Sequence, residues 1–125
     1  MEKLILLTCL LIIVHIFIPI LIGMISSREM SLDYLFSSRD NEIKNSNFYI
    51  RSKKSFKNLL ESLPIYVMII LLSMYNNVDN FELGLYWVIL RFIYIPSYIM
   101  GIKYIRTFIW ASSLIVLIFM GIKFL

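Results

Sequence analysis

Apolar residues fill four long stretches of this chain, and polar residues collect between them. The first stretch runs from about Leu4 to Ile25, the second from about Leu59 to Tyr75, the third from about Phe81 to Gly101 and the fourth from about Ile105 to Leu125. Each approaches the ~20 apolar residues that a helix needs to cross ~30 Å of hydrocarbon. Backbone groups in lipid must be bonded internally, which selects helices for the spans. The second stretch is short alone, so its helix is expected to begin near Ser46 or Asn47 and to rise out of water through the basic run Arg51 to Lys57. The pattern predicts an all-α, integral membrane four-helix bundle in a single domain over residues 1–125, with helices at about 4–25, 47–75, 81–101 and 105–125.

The connections refine this picture. Residues 26–50 form the one long polar link, with Arg28, Glu29, Asp33, Arg39, Asp40, Glu42 and Lys44. It lacks Gly and Pro, so parts of it are expected to extend the first helix or form a short one. The second link is tight, Tyr75-Asn-Asn-Val-Asp-Asn80, with Asp79 placed to cap the third long helix and Glu82 at the capping-box position. The third link lies between Gly101 and Arg106. Short links imply antiparallel neighbours. Pro19, Pro64 and Pro96 fall inside predicted helices, where kinks are expected and neighbouring helices tolerate them. The first stretch is longer than a signal-peptide core and no Ala-x-Ala-like site follows it, so it reads as a retained helix.

Composition agrees with the pattern. Of 125 residues, 60% are hydrophobic and 16% charged, whereas soluble domains carry about 25% charged residues. Charge asymmetry sets orientation. The first link and the basic run after it hold Arg28, Arg39, Lys44, Arg51, Lys53, Lys54 and Lys57, and the third link holds Lys103 and Arg106. The second link holds Asp79 and Glu82 and no basic residue. Links one and three are therefore expected to face the cytoplasm, with both termini opposite; Lys3 and Lys123 oppose this weakly.

Ionisable side chains inside spans carry the candidate chemistry, because each costs about 2.5–3.5 kcal/mol at bilayer depth on insertion scales. Arg51, Lys54, Asn58, Glu61 and Ile65 follow steps of three and four and stack on one helical face, with Lys57 beside Asn58. The basic residues alone fit a stretch bound to anionic lipid heads, but Glu61 does not, since an anionic leaflet repels it. Pro64 follows one turn later, where a loosened backbone opens room for a ligand. Arg91, Tyr94 and Tyr98 share a face of the third long helix. Arg91 needs an anion, and Glu61 is the deepest one available. Either the two form a structural ion pair, or they orient a charged ligand, or both. Tyr94 and Tyr98 also fit ordinary packing aromatics. Arg106 beside Thr107 suits an anion such as a carboxylate or thiolate, or an interfacial anchor with Trp110 in an aromatic belt.

Other chemistry is excluded or weak. One His and one Cys cannot build a metal site. His15 reads as a satisfied interhelical hydrogen bonder and Cys9 as a small packed thiol. No phosphate-binding glycine loop, Ser-His-Asp arrangement or nucleic-acid module is present.

The stretch from Arg51 through Lys54, Lys57, Asn58 and Glu61 to Pro64, followed by Arg91-x-x-Tyr94-x-x-x-Tyr98 and then Arg106-Thr107, resembles the two signatures of the MAPEG family, the membrane-associated proteins of eicosanoid and glutathione metabolism. The resemblance covers roughly Arg51 to Leu125 and is nearest the short bacterial branch, which implies a bacterial inner membrane. It implies a homotrimer, with glutathione as co-substrate held between subunits near the cytoplasmic face. Arg51, Lys54, Lys57, Asn58 and Glu61 would come from one protomer, and Arg91, Tyr94, Tyr98, Arg106 and Thr107 from the next. Lys54 and Lys57 stand where related members often have Arg, which weakens bidentate grip. Thr107 stands where Ser is frequent, and Tyr94 replaces a His found in some members.

On this resemblance the expected function is a glutathione-dependent transferase or peroxidase acting on apolar electrophiles or lipid hydroperoxides. Arg106 would stabilise the thiolate with Thr107 donating to it, and Tyr98 would fix the peptide. Arg51, Lys54 and Lys57 would hold carboxylates, while Asn58 and Glu61 would position the amino end. The alternative is a non-enzymatic MAPEG-like protein that binds lipid or a partner. A small multidrug exporter would need a membrane-embedded carboxylate in the first helix, which here has only Glu2 at its edge.

Overall fold

The computed structural model describes residues 1–26, 31–38 and 46–125. Arg28, Glu29, Arg39, Asp40, Glu42 and Lys44 of the first link lie outside the described residues. The described residues form five helices and no strand: α1 (Glu2–Ser26), α2 (Leu32–Phe36), α3 (Asn47–Asn76), α4 (Phe81–Ile99) and α5 (Lys103–Ile122). The four long helices match the predicted ones; α2 adds a fifth, short helix in the polar link. Helices α1, α3 and α5 are long and apolar enough to cross a membrane by length and composition. Helix α4 is the helix that carries the buried Arg91.

Local chemistry sets the helix ends. Ser46 caps α3 by accepting from Tyr49 N at 3.3 Å. Helix α3 closes on Asn77 in the left-handed region, with Val78 N donating to Ser73 O at 3.0 Å. Helix α4 ends two residues before the expected Gly101. There Gly101 takes φ +74°, its N–H donates to Tyr98 O at 3.0 Å, and Ile102 N donates to Ser97 O at 3.2 Å. This is the paired closure that favours glycine just past a helix end. The expected Asp79 cap is shifted by one residue. Asn80 occupies the cap position of α4 without a side-chain cap bond, and Asp79 instead accepts from Phe81 N at 3.0 Å. The Asn80 side chain turns inward, donating to Ser73 Oγ at 2.9 Å and Met120 O at 3.2 Å. It thereby ties the end of α3 and the start of α4 to the end of α5.

Cross-helix pairs establish the topology. Arg51 meets Ile99, Asn58 and Ser62 meet Arg91, and Tyr66 meets Gly84 and Trp87, so α3 and α4 are antiparallel. His15 faces Phe56 while Leu4 lies near Ile70 and Gly84, so α1 also runs against α3. Gly84 lets α1 approach: a Cβ there would stand 2.7 Å from Leu4 Cδ1 and 3.1 Å from Ile70 Cδ1. Both termini share the end that holds the α3–α4 turn, where Lys123 Nζ donates to Asp79 O at 2.6 Å. A shallow cavity of about 540 Å³ at that end is lined by residues from Met1–Lys3 and from Ser73, Met74 and Asn77–Asp79.

Two minor expectations change. Cys9 is exposed on α1 rather than packed inside. His15 is buried and satisfied, but within its own helix: its Nδ1 bonds the Leu11 carbonyl at 2.9 Å. Helices α1, α3 and α4 run through Pro19, Pro64 and Pro96 without a break.

Candidate functional site

Hydroxyls line the inner face of α3. Ser52, Ser55, Leu59, Ser62, Tyr66, Ile70 and Ser73 are buried at steps of three and four. Small side chains let helices approach, and their hydroxyls can bond back to their own helix. Ser52 donates to Tyr49 O at 2.7 Å and Ser62 to Leu59 O at 3.2 Å. The predicted polar face lies one residue round from this, about 100° of rotation. Its members therefore separate. Arg51 and Asn58 sit at the border and are half-buried, whereas Lys54, Lys57, Glu61 and Ile65 are exposed.

Arg91 is the centre of the constellation. It is 1% exposed. Nη1 donates to Asn58 Oδ1 and Nη2 to Ser62 Oγ, both at 2.7 Å. The guanidinium carbon lies 5.4 Å from the Trp87 ring centroid and 5.6 Å from that of Tyr94, within cation–π range. Nε has no partner. Among the described residues no carboxylate pairs with it, so the expected Glu61–Arg91 ion pair is not formed. The reason is helical phase. From Asn58 a step of four brings Ser62 back to the inner face, while a step of three turns Glu61 outward. Arg91 engages α3 of its own chain, where the resemblance had assigned it to a neighbouring subunit's site.

A line of aromatic rings and cations runs from this centre to the helix ends. Trp87 stacks on Tyr66 with centroids 4.0 Å apart. Tyr94 and Tyr98 are tilted rings 5.4 Å apart, and the Arg106 guanidinium carbon lies 5.0 Å from the Tyr98 centroid. Residues 87, 91, 94 and 98 follow steps of three and four, so α4 presents them as one stripe. The Tyr94 phenol is within electrostatic reach of Arg91, Arg106 and Glu61. The structure thus brings Asn58, Arg91, Tyr94, Tyr98 and Arg106 together, with Glu61 close outside them.

The rim is arranged differently from expectation. Arg51 Nη1 donates to Ile99 O at 3.3 Å. That carbonyl is in the last turn of α4, so a cation there also complements the helix end. Arg51 is committed to the fold as well as placed near the site. Lys54 and Lys57 are exposed, and neither makes an ion pair or hydrogen bond among the described residues. Thr107 is exposed too, and its Oγ1 donates to Lys103 O at 3.0 Å. Its single proton is used by the backbone, so of this adjacent pair Arg106 is the one with donors to offer.

The MAPEG family model matches residues 4–125. The chain belongs to the MAPEG family. Neither a curated protein nor a solved structure matches it. MAPEG proteins are membrane proteins associated in general with glutathione, and with at least three helices among the described residues long and apolar enough to cross a bilayer, this one is an integral membrane protein.

In this MAPEG chain the flank of α3 is polar and of mixed charge. Lys54, Lys57 and Arg106 offer cations, Asn58 an amide and Glu61 a carboxylate. Sequence reasoning missed Ser62 and Trp87, which hold Arg91, and Ser55, whose buried Oγ has no partner. A signal existed for them: Ser55 and Ser62 recur with Leu59 and Tyr66 at helical spacing, and Trp87 precedes Arg91 by one turn.

Proposed function

We propose that this MAPEG protein is a membrane-embedded glutathione-dependent transferase or peroxidase, acting on apolar electrophiles or lipid hydroperoxides as one domain of a homotrimer. It lies in a bacterial inner membrane with the first and third links in the cytoplasm. The observation that carries the reading is the flank of α3. Glu61 is exposed there in the apolar part of α3, below the exposed rim cations Lys54 and Lys57 and beside Asn58 and the Arg91 centre. Charged groups at that depth normally face a water-filled cleft or a partner. A neighbouring subunit and a bound peptide thiol supply both.

In this reading Lys54 and Lys57 bind glutathione carboxylates, with Arg51 at the rim, and Asn58 and Glu61 position its amino end. Arg106 stabilises the thiolate. A free thiol titrates near 8.5, and an adjacent cation lowers that value. The thiol proton leaves to water, and the sulfur then attacks an electrophile entering from the bilayer, whose leaving group departs. Tyr98, already under the Arg106 guanidinium, fixes the peptide, and Tyr94 closes the wall behind it. Thr107 supplies a hydrogen bond only after its hydroxyl turns away from Lys103 O.

That last geometry favours a second reading, a non-catalytic MAPEG protein that binds lipid or a partner through the same bundle. Near-ultraviolet thiolate absorbance on adding glutathione to detergent-purified protein separates the two. Transferase chemistry expects a thiolate band at neutral pH that is lost in Arg106→Ala. Equal absorbance in both proteins removes the role given to Arg106, and no band with retained lipid binding supports the second reading.

A further inference from the structure

We propose that Arg91 is a positioning residue that fixes the Asn58 carboxamide with its oxygen inward and its NH2 outward, so that Asn58 meets the ligand only as a hydrogen-bond donor. The inference rests on the glutathione reading above for the identity of the ligand, but not for the orientation itself.

The argument begins with donor chemistry. A guanidinium only donates, so the Asn58 atom 2.7 Å from Arg91 Nη1 must be the oxygen. The carboxamide is planar, and its nitrogen then points away from the bundle interior. Asn58 stands at the border between the buried face and the exposed Lys57 and Glu61, which directs that NH2 toward the flank. Arg91 is itself held. Nη2 donates to Ser62 Oγ at 2.7 Å, and Ser62 donates in turn to Leu59 O at 3.2 Å, so Ser62 has no second proton with which to rearrange. Trp87 and Tyr94 flank the guanidinium.

Burial decides between direct contact and action through another residue. With 1% exposure, Arg91 has no surface for a ligand to touch. Its charge nevertheless reaches the flank through Asn58. A cation bonded to an amide oxygen polarises the amide and makes its N–H groups stronger donors. The ligand atom at Asn58 is therefore an acceptor, a carboxylate or a peptide carbonyl, and its amine belongs at Glu61.

Three variants in detergent-purified full-length protein test this. Asn58→Asp keeps the bond to Arg91 and adds charge pairing, yet replaces the outward donor with an acceptor. It is expected to melt no lower than wild type and to bind glutathione at least ~10-fold more weakly, the scale of losing one hydrogen bond to a charged group. Unchanged binding in Asn58→Asp overturns the proposal. Arg91→Leu and Asn58→Ala are each expected to weaken glutathione binding, with the double variant no weaker than the worse single one. Additive losses mean that Arg91 touches the ligand itself, and also overturn it. A ligand-free measurement covers failure of the glutathione reading or misfolding of Arg91→Leu. With asparagine side chains labelled with nitrogen-15, the Asn58 NH2 signal, assigned by its loss in Asn58→Asp, is expected to move toward the free-amide position in Arg91→Leu and in Arg91→Lys. A signal that stays in place in the folded Arg91→Lys protein refutes the orientation, whether or not glutathione binds.

Discussion

The guanidinium of Arg51 lies directly over Gly101: a Cβ built on that glycine would stand 2.7 Å from Arg51 Nη1 and 2.9 Å from its Cζ. The contact joins the start of α3 to the turn between α4 and α5, which carries Arg106 into place. Gly101→Ala meets two obstacles, a left-handed φ of +74° and the Arg51 head group. The backbone term is about 1–2 kcal/mol. The Arg51 end is flexible and can swing away, at the expense of its bond to Ile99 O. The variant is expected to melt several degrees lower in detergent. A melting temperature equal to wild type would show that the turn tolerates a side chain.

Gly84 tests the packing of α1 on the α3–α4 pair. Gly84→Ala forces Leu4 Cδ1 and Ile70 Cδ1 to yield, both being ends of flexible side chains. A loss of roughly 1 kcal/mol is expected, at the low end for overpacking, and Gly84→Leu should prevent stable assembly of the bundle. Normal yield and melting of Gly84→Leu would mean that α1 does not dock there.

Asn80 is fully buried, and its amide holds Ser73 and Met120. Asn80→Ala leaves a vacant site and removes two bonds, each worth about 0.5–1.5 kcal/mol. The loss should appear as lower thermal stability with glutathione binding unaltered, because the residue sits at the end away from Arg106. Weakened binding at unchanged stability would contradict that separation.

The thiolate reading makes a pH prediction. Arg106 favours the anionic sulfur, so removing it raises the pH at which bound glutathione ionises, toward the ~8.5 of a free thiol. Wild type should show the thiolate band at pH 7, and Arg106→Ala only as pH approaches that value. Thr107→Val should shift the curve far less, since the Thr107 proton is used by Lys103 O. A larger shift in Thr107→Val than in Arg106→Ala would reverse the two roles.

Topology can be checked by tags at each end. Both termini lie with the α3–α4 turn, so tags on Met1 and Leu125 should be digested from the same side of sealed vesicles. Protection of one and cleavage of the other would require an odd number of crossings.

Much of the architecture was legible in the chain itself. The lengths of the apolar runs, the Ser46 cap and Gly101 located the long helices within a few residues, because helix formation and termination depend on neighbours in sequence. A cation inside a span also marked Arg91 as a residue to explain. What it bonds was not legible. Glu61 and Ser62 differ by one position, which is about 100° around α3, and only the rotation of α3 against α4 chose the serine. That rotation is set by contacts far apart in sequence, Leu4 against Gly84 and Tyr66 against Trp87. The same packing committed Arg51 to the Ile99 carbonyl and turned Asn80 inward. Periodicity gives each helix its faces, whereas the angle at which those faces meet is a property of the assembled bundle.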